Sequence, residues 1–197
     1  MSNWVQNILK LKILLEALSV HDDSGKKLEL DAAFLRWANI TCQVRTNRKT
    51  VYLIGNGASA SMASHVAADL AKNAQVHTQV FTDLSLITAL ANDLSYEEVY
   101  AEPLRRRMNH GDLLVAISSS GQSSNILRAV QETKRLNGFV VTLSAMKPDN
   151  MLRKQGILNF YVPAKTYSMA ETCHAAILHY WMDQMVETTQ SNKENGD

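Results

Sequence analysis

The sequence predicts an α/β fold in which helices cover both faces of a parallel sheet. Short apolar segments, such as residues 51–54 and 113–117, have the length of buried strands. They alternate along the chain with segments whose apolar residues recur at helical spacing. Strands that alternate with helices are joined by right-handed crossovers, which leave the strands parallel and place helices on both faces.

Two helices are expected before the first strand. The first has an apolar stripe at Trp4, Ile8, Leu11, Leu15 and Leu18, with Ser2 as a plausible cap. The second has a stripe at Leu30, Phe34, Trp37, Ile40 and Val44. The polar residues 21–27 between them are predicted to form a loop.

The remaining elements follow the same alternation. Strands are expected near residues 51–54, 78–81, 113–117, 139–143 and 157–162, and helices near Ser59, Ser95, Ser123 and Ser168. We therefore predict an N-terminal helical extension over 1–50 that belongs to the same domain, an α/β domain over 51–189 and a polar tail over 190–197. Ligands of such sheets bind beyond the carboxyl ends of the strands, so a ligand site is expected at the loops that leave those ends.

Composition excludes several classes of protein. The 197 residues are 46% hydrophobic and 20% charged, with a net charge of +1, so nothing indicates a nucleic-acid binder. No apolar run approaches the roughly 20 residues that span a bilayer, and the N-terminus lacks a secretory layout. Cys42 and Cys173 lie in helical patterns, which predicts reduced thiols in the cytoplasm.

The first strand-to-helix corner is Gly55-Asn56-Gly57-Ala58-Ser59. Its glycines let a ligand approach the backbone, and the N–H groups at the start of the following helix attract anions. The corner is neither GxGxxG nor a P-loop. A tight turn with Ser59 as the helix cap explains it equally well.

The second corner contains Ser118, Ser119, Ser120, Ser123 and Ser124. These hydroxyls lie where a buried strand ends and a helix begins, and neutral donors of this kind bind phosphate without an arginine. A serine-rich turn without a ligand is the plainer explanation. Two such corners at the same edge of one sheet favour a small phosphorylated ligand.

The sequence resembles the phosphoheptose isomerase family of sugar isomerase (SIS) domains. The resemblance rests on GNGASASMASHVAADL, ALANDLSYEEVYAEPL, GDLLVAISSSGQSSNIL and ETCHAAILH, and runs from about residue 51 to 186. It implies a flavodoxin-like parallel-sheet sandwich, a homotetramer with sites at subunit interfaces, and a phosphorylated sugar as the ligand. The implied activity is conversion of sedoheptulose 7-phosphate to glycero-manno-heptose 7-phosphate, often with zinc.

The resemblance also implies roles for individual residues. Those expected to bind the sugar phosphate are Asn56, Ser59, Asp93, Ser118, Ser119, Ser120 and Ser123. Those expected to bind a metal are His65, Asp69, Glu171 and His179, of which Asp69 and His179 are the expected catalytic residues. Three positions depart from the family, because Asp69 replaces a glutamate, Glu171 a glutamine and Ser168 an aspartate.

The spacing of these residues leaves alternatives open. His65 and Asp69 are four residues apart and share one helix face, as a metal site or a simple hydrogen-bonded pair would. Residues 168–171 fit a capping box as well as a metal site. Glu171, His174 and His179 share one arc of a helix. Spacing does not decide which histidine points inward, and only the resemblance selects His179.

The departures affect the expected chemistry. Asp69 is one methylene shorter than glutamate, which shortens its reach by about 1.5 Å. The charge of Glu171 is expected to tighten cation binding, weaken Lewis acidity and favour a harder metal such as manganese. The alternative function is a non-catalytic SIS regulator that binds sugar phosphates or associates with a replication initiator. The presence of both His65 and His179 favours the enzyme.

Overall fold

The computed structural model describes the backbone of residues 3–194 and the side chains of residues 3–187. In chain order, the elements are α1 (Trp4–Glu16), β1 (Ser19–His21), β2 (Lys27–Leu28), α2 (Leu30–Thr46), β3 (Thr50–Gly55), α3 (Ala58–Ala74), β4 (His77–Gln79), α4 (Leu84–Asp93), α5 (Glu98–Arg107), β5 (Leu113–Ser118), α6 (Ser124–Arg135), β6 (Phe139–Ala145), β7 (Leu158–Val162) and α7 (Tyr167–Glu194). A 3-10 turn, Leu152–Lys154, precedes β7.

The strands form one sheet in the order β2-β1-β7-β6-β5-β3-β4. The five strands from β7 to β4 are parallel, which confirms the predicted fold class. β3 and β5 are neighbours, with Gly55 opposite Ile117, so the two predicted corners leave the sheet side by side. This adjacency brings both helix N-termini to one edge of the sheet.

Alternation along the strands divides the core into two layers. Val51, Leu53 and Val115 pack against α2, α3 and α7, whereas Tyr52 and Ile54 pack against α5 and α6 on the other face. The residues of β3 from Val51 and of β5 are buried, as expected of strands covered on both faces.

The three tryptophans of the chain have different environments. Trp37 and Trp181 are fully buried and stack with their ring centroids 4.2 Å apart. They therefore belong to the core. Trp4 is 74% exposed, and α1 has no buried residue.

The structure corrects several element boundaries. The predicted loop 21–27 is part of a hairpin in which β1 pairs antiparallel with β2, and β1 also pairs antiparallel with β7. α4 was not predicted from the sequence, and α5 begins at Glu98 rather than near Ser95. α7 continues through Glu194, so the first part of the predicted tail is helical.

The N-terminal cap of α1 is Asn3 and not the predicted Ser2. Ser2 lies outside the described residues. Asn3 caps α1, because its side chain accepts a hydrogen bond from the Gln6 amide at 2.9 Å and the Gln6 side chain accepts one from the Asn3 amide at 3.2 Å. Within the described residues, no helix is both long and apolar enough to cross a membrane.

Candidate active site

The serine corner presents hydroxyls at the N-terminus of α6. Ser123 occupies the cap position, but its side chain makes no capping hydrogen bond and lies 3.3 Å from the Ser118 hydroxyl. The Ser119 hydroxyl is buried and has no hydrogen-bond partner among the described residues. A buried polar group without a partner is costly, so this hydroxyl fits a site that a polar ligand completes.

Buried polar contacts hold the serine corner in place. Gly121 has a φ of +63°, and its carbonyl accepts a hydrogen bond from the Leu152 amide at 3.0 Å. Asn150 is fully buried against Gly121, where a Cβ would lie 2.0 Å from the Asn150 Oδ1. Only glycine fits here, since the position needs both a positive φ and the missing side chain.

The first corner is anchored from α5. Gly57 occupies the cap position of α3 with a φ of +56°. Ser59 is therefore inside the helix, and its predicted role as the cap is wrong. Ser59 is 4% exposed. The Tyr100 hydroxyl donates a hydrogen bond to the Gly55 carbonyl, and burial raises the pKa of Tyr100 to about 12.

A cavity of about 160 Å³ lies between the two corners. It is lined by Asn56, Ser59, Ile117, Ser118, Ser119, Ser120, Ser123, Tyr167 and Glu171. The structure thus brings together six of the seven residues predicted to bind the sugar phosphate. Tyr167 was missed because an exposed tyrosine at the start of a helix has no distinctive pattern in the sequence.

The seventh residue, Asp93, does not line this cavity. It is the last residue of α4, is exposed, and accepts a hydrogen bond from the Asn92 side chain at 2.9 Å. Its predicted contact with sugar hydroxyls therefore has no counterpart in the cavity of the single chain.

A second group of predicted residues lies where α3 contacts α7. The Nε2 atom of His65 is 3.3 Å from the Oδ2 atom of Asp69, and the rings of His65 and His179 are edge-to-face with centroids 5.5 Å apart. The side chains of His65 and Asp69 are 59% and 24% exposed, so this cluster is open to solvent.

His65 lies next to both Asp69 and His179 in this cluster. However, no three His, Cys, Asp or Glu side chains in the described part of the chain converge as a metal-binding group.

Glu171 is the predicted metal ligand that stands apart. It lines the serine cavity, and its separation from His179 along α7 is about 12 Å for eight residues. The capping box predicted for residues 168–171 is wrong, because Thr166 accepts the hydrogen bond from the Met169 amide at 3.4 Å. Glu171 therefore belongs to the lining of the cavity and not to a capping box.

The two histidines of α7 have opposite environments. His174 is fully buried, and burial lowers its pKa to about 4, although the nearby Ser144 backbone opposes this. His179 is exposed beside His65. His174 is thus a neutral core residue.

A larger cavity, of about 370 Å³, lies elsewhere. It is lined by residues of the β1–β2 hairpin, with Pro148, Arg153 and Lys154 on its other side. The negative charges of Asp22 and Asp23 there balance the positive charges of Arg153 and Lys154. It shares no lining residue with the cavity between the corners.

Comparison with known proteins gives the family. Residues 15–145 match the SIS domain family. A phosphoheptose isomerase from Helicobacter pylori (strain P12) is 31% identical over 175 residues, which cover 85% of this chain and 91% of that protein. The chain belongs to the phosphoheptose isomerase family of SIS-domain proteins. A phosphoheptose isomerase from Shewanella denitrificans is 30% identical over 159 residues, covering 77% of this chain and 81% of that protein.

Solved structures support the fold of this phosphoheptose isomerase family member. A phosphoheptose isomerase from Francisella tularensis superposes with a TM-score of 0.78 at 22% identity, covering 93% of this chain and 95% of that one. The Neisseria gonorrhoeae phosphoheptose isomerase gives a TM-score of 0.77 at 24% identity, with coverage of 91% and 93%. These similarities confirm the predicted SIS fold.

Proposed function

We propose that this chain is a ketose–aldose isomerase that converts D-sedoheptulose 7-phosphate to D-glycero-D-manno-heptose 7-phosphate. The carrying observation is the cavity in which serine hydroxyls meet the N-termini of α3 and α6. Membership of the phosphoheptose isomerase family supplies the reaction and the substrate. The proposal therefore assigns one set of residues to the phosphate and another set to proton transfer at the reacting carbons.

The proposed phosphate position lies at the serine corner. Helix N-termini carry a partial positive charge that favours an anion. The hydroxyls of Ser119 and Ser123 are the best-placed donors, since neither is used for helix capping and Ser119 has no partner among the described residues. Ser59, Ser118 and Ser120 line the same cavity and complete the proposed set.

The proposed proton-transfer groups are Asp69 and His179. Isomerisation requires a base that removes a proton from the carbon next to the carbonyl, and an acid that supplies a proton to the oxygen. We assign the first role to Asp69 and the second to His179, with His65 beside both of them. We also propose that Asn56 and Asp93 contact sugar hydroxyls.

We propose zinc as the metal of this protein, held by His65, Asp69 and His179. A bound divalent ion would stabilise negative charge on the sugar oxygens during the reaction. We keep Glu171 as a candidate fourth ligand, although this residue lines the cavity between the corners. The Asp69 and Glu171 carboxylates suit zinc and harder metals such as manganese.

We further propose that the protein is a homotetramer in the cytoplasm. The support for assembly is the exposed apolar face of α1, formed by Trp4, Val5, Ile8, Leu9 and Ile13. Monomeric proteins rarely expose such a continuous patch, and symmetric assembly would cover it. The support for a cytoplasmic location is the prediction that both cysteines are reduced thiols.

The test is incubation of the purified protein with sedoheptulose 7-phosphate, with the product identified by NMR and the metal content measured in parallel. We expect the aldose heptose 7-phosphate to form, and chelator treatment to lower the rate if the metal takes part. Tight binding of phosphosugars without any conversion would instead support a regulatory SIS protein.

A further inference from the structure

Two asparagine side chains join the two corners of the cavity. The Asn56 Nδ2 donates a hydrogen bond to the Asn125 Oδ1 at 3.0 Å, and the Asn125 Nδ2 donates one to the Asn56 Oδ1 at 2.9 Å. Asn56 lies in the first corner, between two glycines, and Asn125 lies in the first turn of α6. Asn125 is 1% exposed, so little water competes for this pair.

A backbone amide fixes the orientation of both side chains. The Ile126 N–H donates to the Asn125 Oδ1 at 2.9 Å, and because an N–H can only donate, the atom facing it is an oxygen. The Asn125 nitrogen must then face Asn56, which in turn must present its oxygen there. The Tyr96 hydroxyl, 3.4 Å from the Asn56 Oδ1, donates to this oxygen in the same orientation.

This orientation limits what Asn56 can offer to a ligand. Its carbonyl oxygen has two acceptor positions, and these face Asn125 and Tyr96. Its amide nitrogen has two N–H groups, of which one is directed to Asn125. Asn56 lines the cavity, so it faces a ligand as a donor that fits phosphate or hydroxyl oxygens.

The pair also connects the loops beyond the point where the strands are paired. The described register of β3 with β5 ends at Gly55 and Ile117. Past that point the chains turn separately into α3 and α6, whose N-termini face the cavity. The double hydrogen bond between Asn56 and Asn125 thus ties together two loops that bind one ligand.

We propose that Asn125 is a positioning residue of this site. It holds Asn56 as a hydrogen-bond donor toward the sugar phosphate and keeps the two helix N-termini at a fixed spacing. Asn125 does not line the cavity itself, so it acts through Asn56. The inference rests on the proposed function, since the ligand it concerns is the sugar phosphate.

The test is a double-mutant cycle with Asn125→Ala, Asn56→Ala and the double variant, in which KM and kcat are measured for sedoheptulose 7-phosphate. Gln131→Ala is the matched control, because it removes an exposed amide from the same helix. We expect each single asparagine variant to raise KM about tenfold, the loss that follows from one or two hydrogen bonds. The double variant should differ from Asn56→Ala by no more than about twofold, because coupled residues are not additive.

A second variant guards against a general loss of structure. Asn125→Asp keeps the shape and the acceptor for the Ile126 amide, but it places an oxygen opposite the Asn56 oxygen. We expect it to raise KM as much as Asn125→Ala while the protein stays folded by circular dichroism. A KM unchanged in Asn125→Ala and Asn125→Asp, or single effects that multiply in the double variant, would overturn the proposal.

A separate measurement distinguishes failure of this inference from failure of the proposed function. Wild type that neither converts nor binds sedoheptulose 7-phosphate would refute the function. Hydrogen exchange of the Asn56 side-chain amide, followed by NMR without ligand, tests the bridge in either case. Faster exchange in Asn125→Ala than in wild type and Gln131→Ala supports it, and equal exchange in all three refutes it.

Discussion

Replacement of Gly121 by alanine tests whether the serine corner is built on a buried contact. The new methyl would lie 2.0 Å from the Asn150 Oδ1, on a backbone with a φ of +63°. Asn150 cannot move freely, because its side-chain nitrogen is directed to Ser144 Oγ, the Ala145 carbonyl and the Lys147 carbonyl, at 3.3, 3.2 and 2.8 Å. Its oxygen also accepts from the Arg153 amide at 3.0 Å.

The expected loss of stability has two parts. Alanine at a positive φ costs about 1–2 kcal/mol. Displacing Asn150 breaks hydrogen bonds worth about 1 kcal/mol each and leaves buried polar groups unpaired. Together these predict a loss of about 3–5 kcal/mol, or roughly 10 °C in the melting temperature of a chain of this size.

Gly25→Ala is the matched control for the cost of placing alanine at a positive φ. Gly25 has a φ of +83°, and a methyl there would meet nothing within 4 Å. We expect it to lower the melting temperature by about 4 °C and to leave sugar-phosphate binding intact. Thermal unfolding by calorimetry checks both variants. Equal losses in Gly25→Ala and Gly121→Ala would refute the argument that Asn150 restricts the serine corner.

Three further predictions concern binding, pH and assembly. The double variant Ser120→Ala/Ser123→Ala should weaken sugar-phosphate binding by about 1.5–3 kcal/mol for each lost hydrogen bond to the phosphate. Its melting temperature should change little. A dissociation constant equal to that of wild type, measured by titration calorimetry, would contradict the phosphate position. His174 has a folded-state pKa of about 4 against 6.5 when unfolded, so acid protonates the unfolded chain first. The free energy of unfolding should fall by about 3 kcal/mol as the pH drops from 6.5 to 4, and urea titrations of His174→Leu should lack the part of this fall between pH 6.5 and 5. Trp4→Ser with Ile13→Ser should shift the protein toward smaller species in light scattering, because both side chains are more than 60% exposed on α1; a wild-type protein that is already monomeric would refute the assembly.

The sequence predicted the parallel sheet because buried strands and amphipathic helices differ in length and period. It did not predict the hairpin of β1 and β2, whose strands have three and two residues. β1 joins the main sheet through its pairing with β7, more than 130 residues away, and no local pattern in the sequence predicts that contact. α4 was missed for a related reason, since none of its residues is buried.

The candidate site was predictable where it lies in the strand-to-helix corners. Segments rich in glycine and serine directly after a buried strand predicted most of the residues that line the cavity. Examples are Asn56, Ser59, Ser118, Ser119, Ser120 and Ser123. The partners of these residues were not predictable. Asn125 contacts Asn56 across 69 positions of sequence, and Asn150 packs on Gly121 through a loop with no regular pattern.

Spacing on one helix also could not separate His174 from His179. Both fall on the same arc relative to Glu171, yet one is buried and the other lies 5.5 Å from His65. The difference in burial between the two histidines depends on the orientation of α7 about its own axis, relative to α3 and the sheet. That orientation is set by the packing of large side chains such as Trp181 in the core.

The most direct test of the account is turnover of sedoheptulose 7-phosphate by wild type, Asp69→Asn and Asp69→Glu, with metal content measured for each. Asp31→Asn, at an exposed position in the first turn of α2, serves as the matched control. A general base contributes about 10²–10⁴-fold to the rate, so Asp69→Asn should lose at least about 100-fold while Asp31→Asn keeps the wild-type rate. Asp69→Glu should also be slower, because the longer side chain misplaces the carboxylate by about 1.5 Å. Equal turnover by wild type and Asp69→Asn would contradict the catalytic assignment.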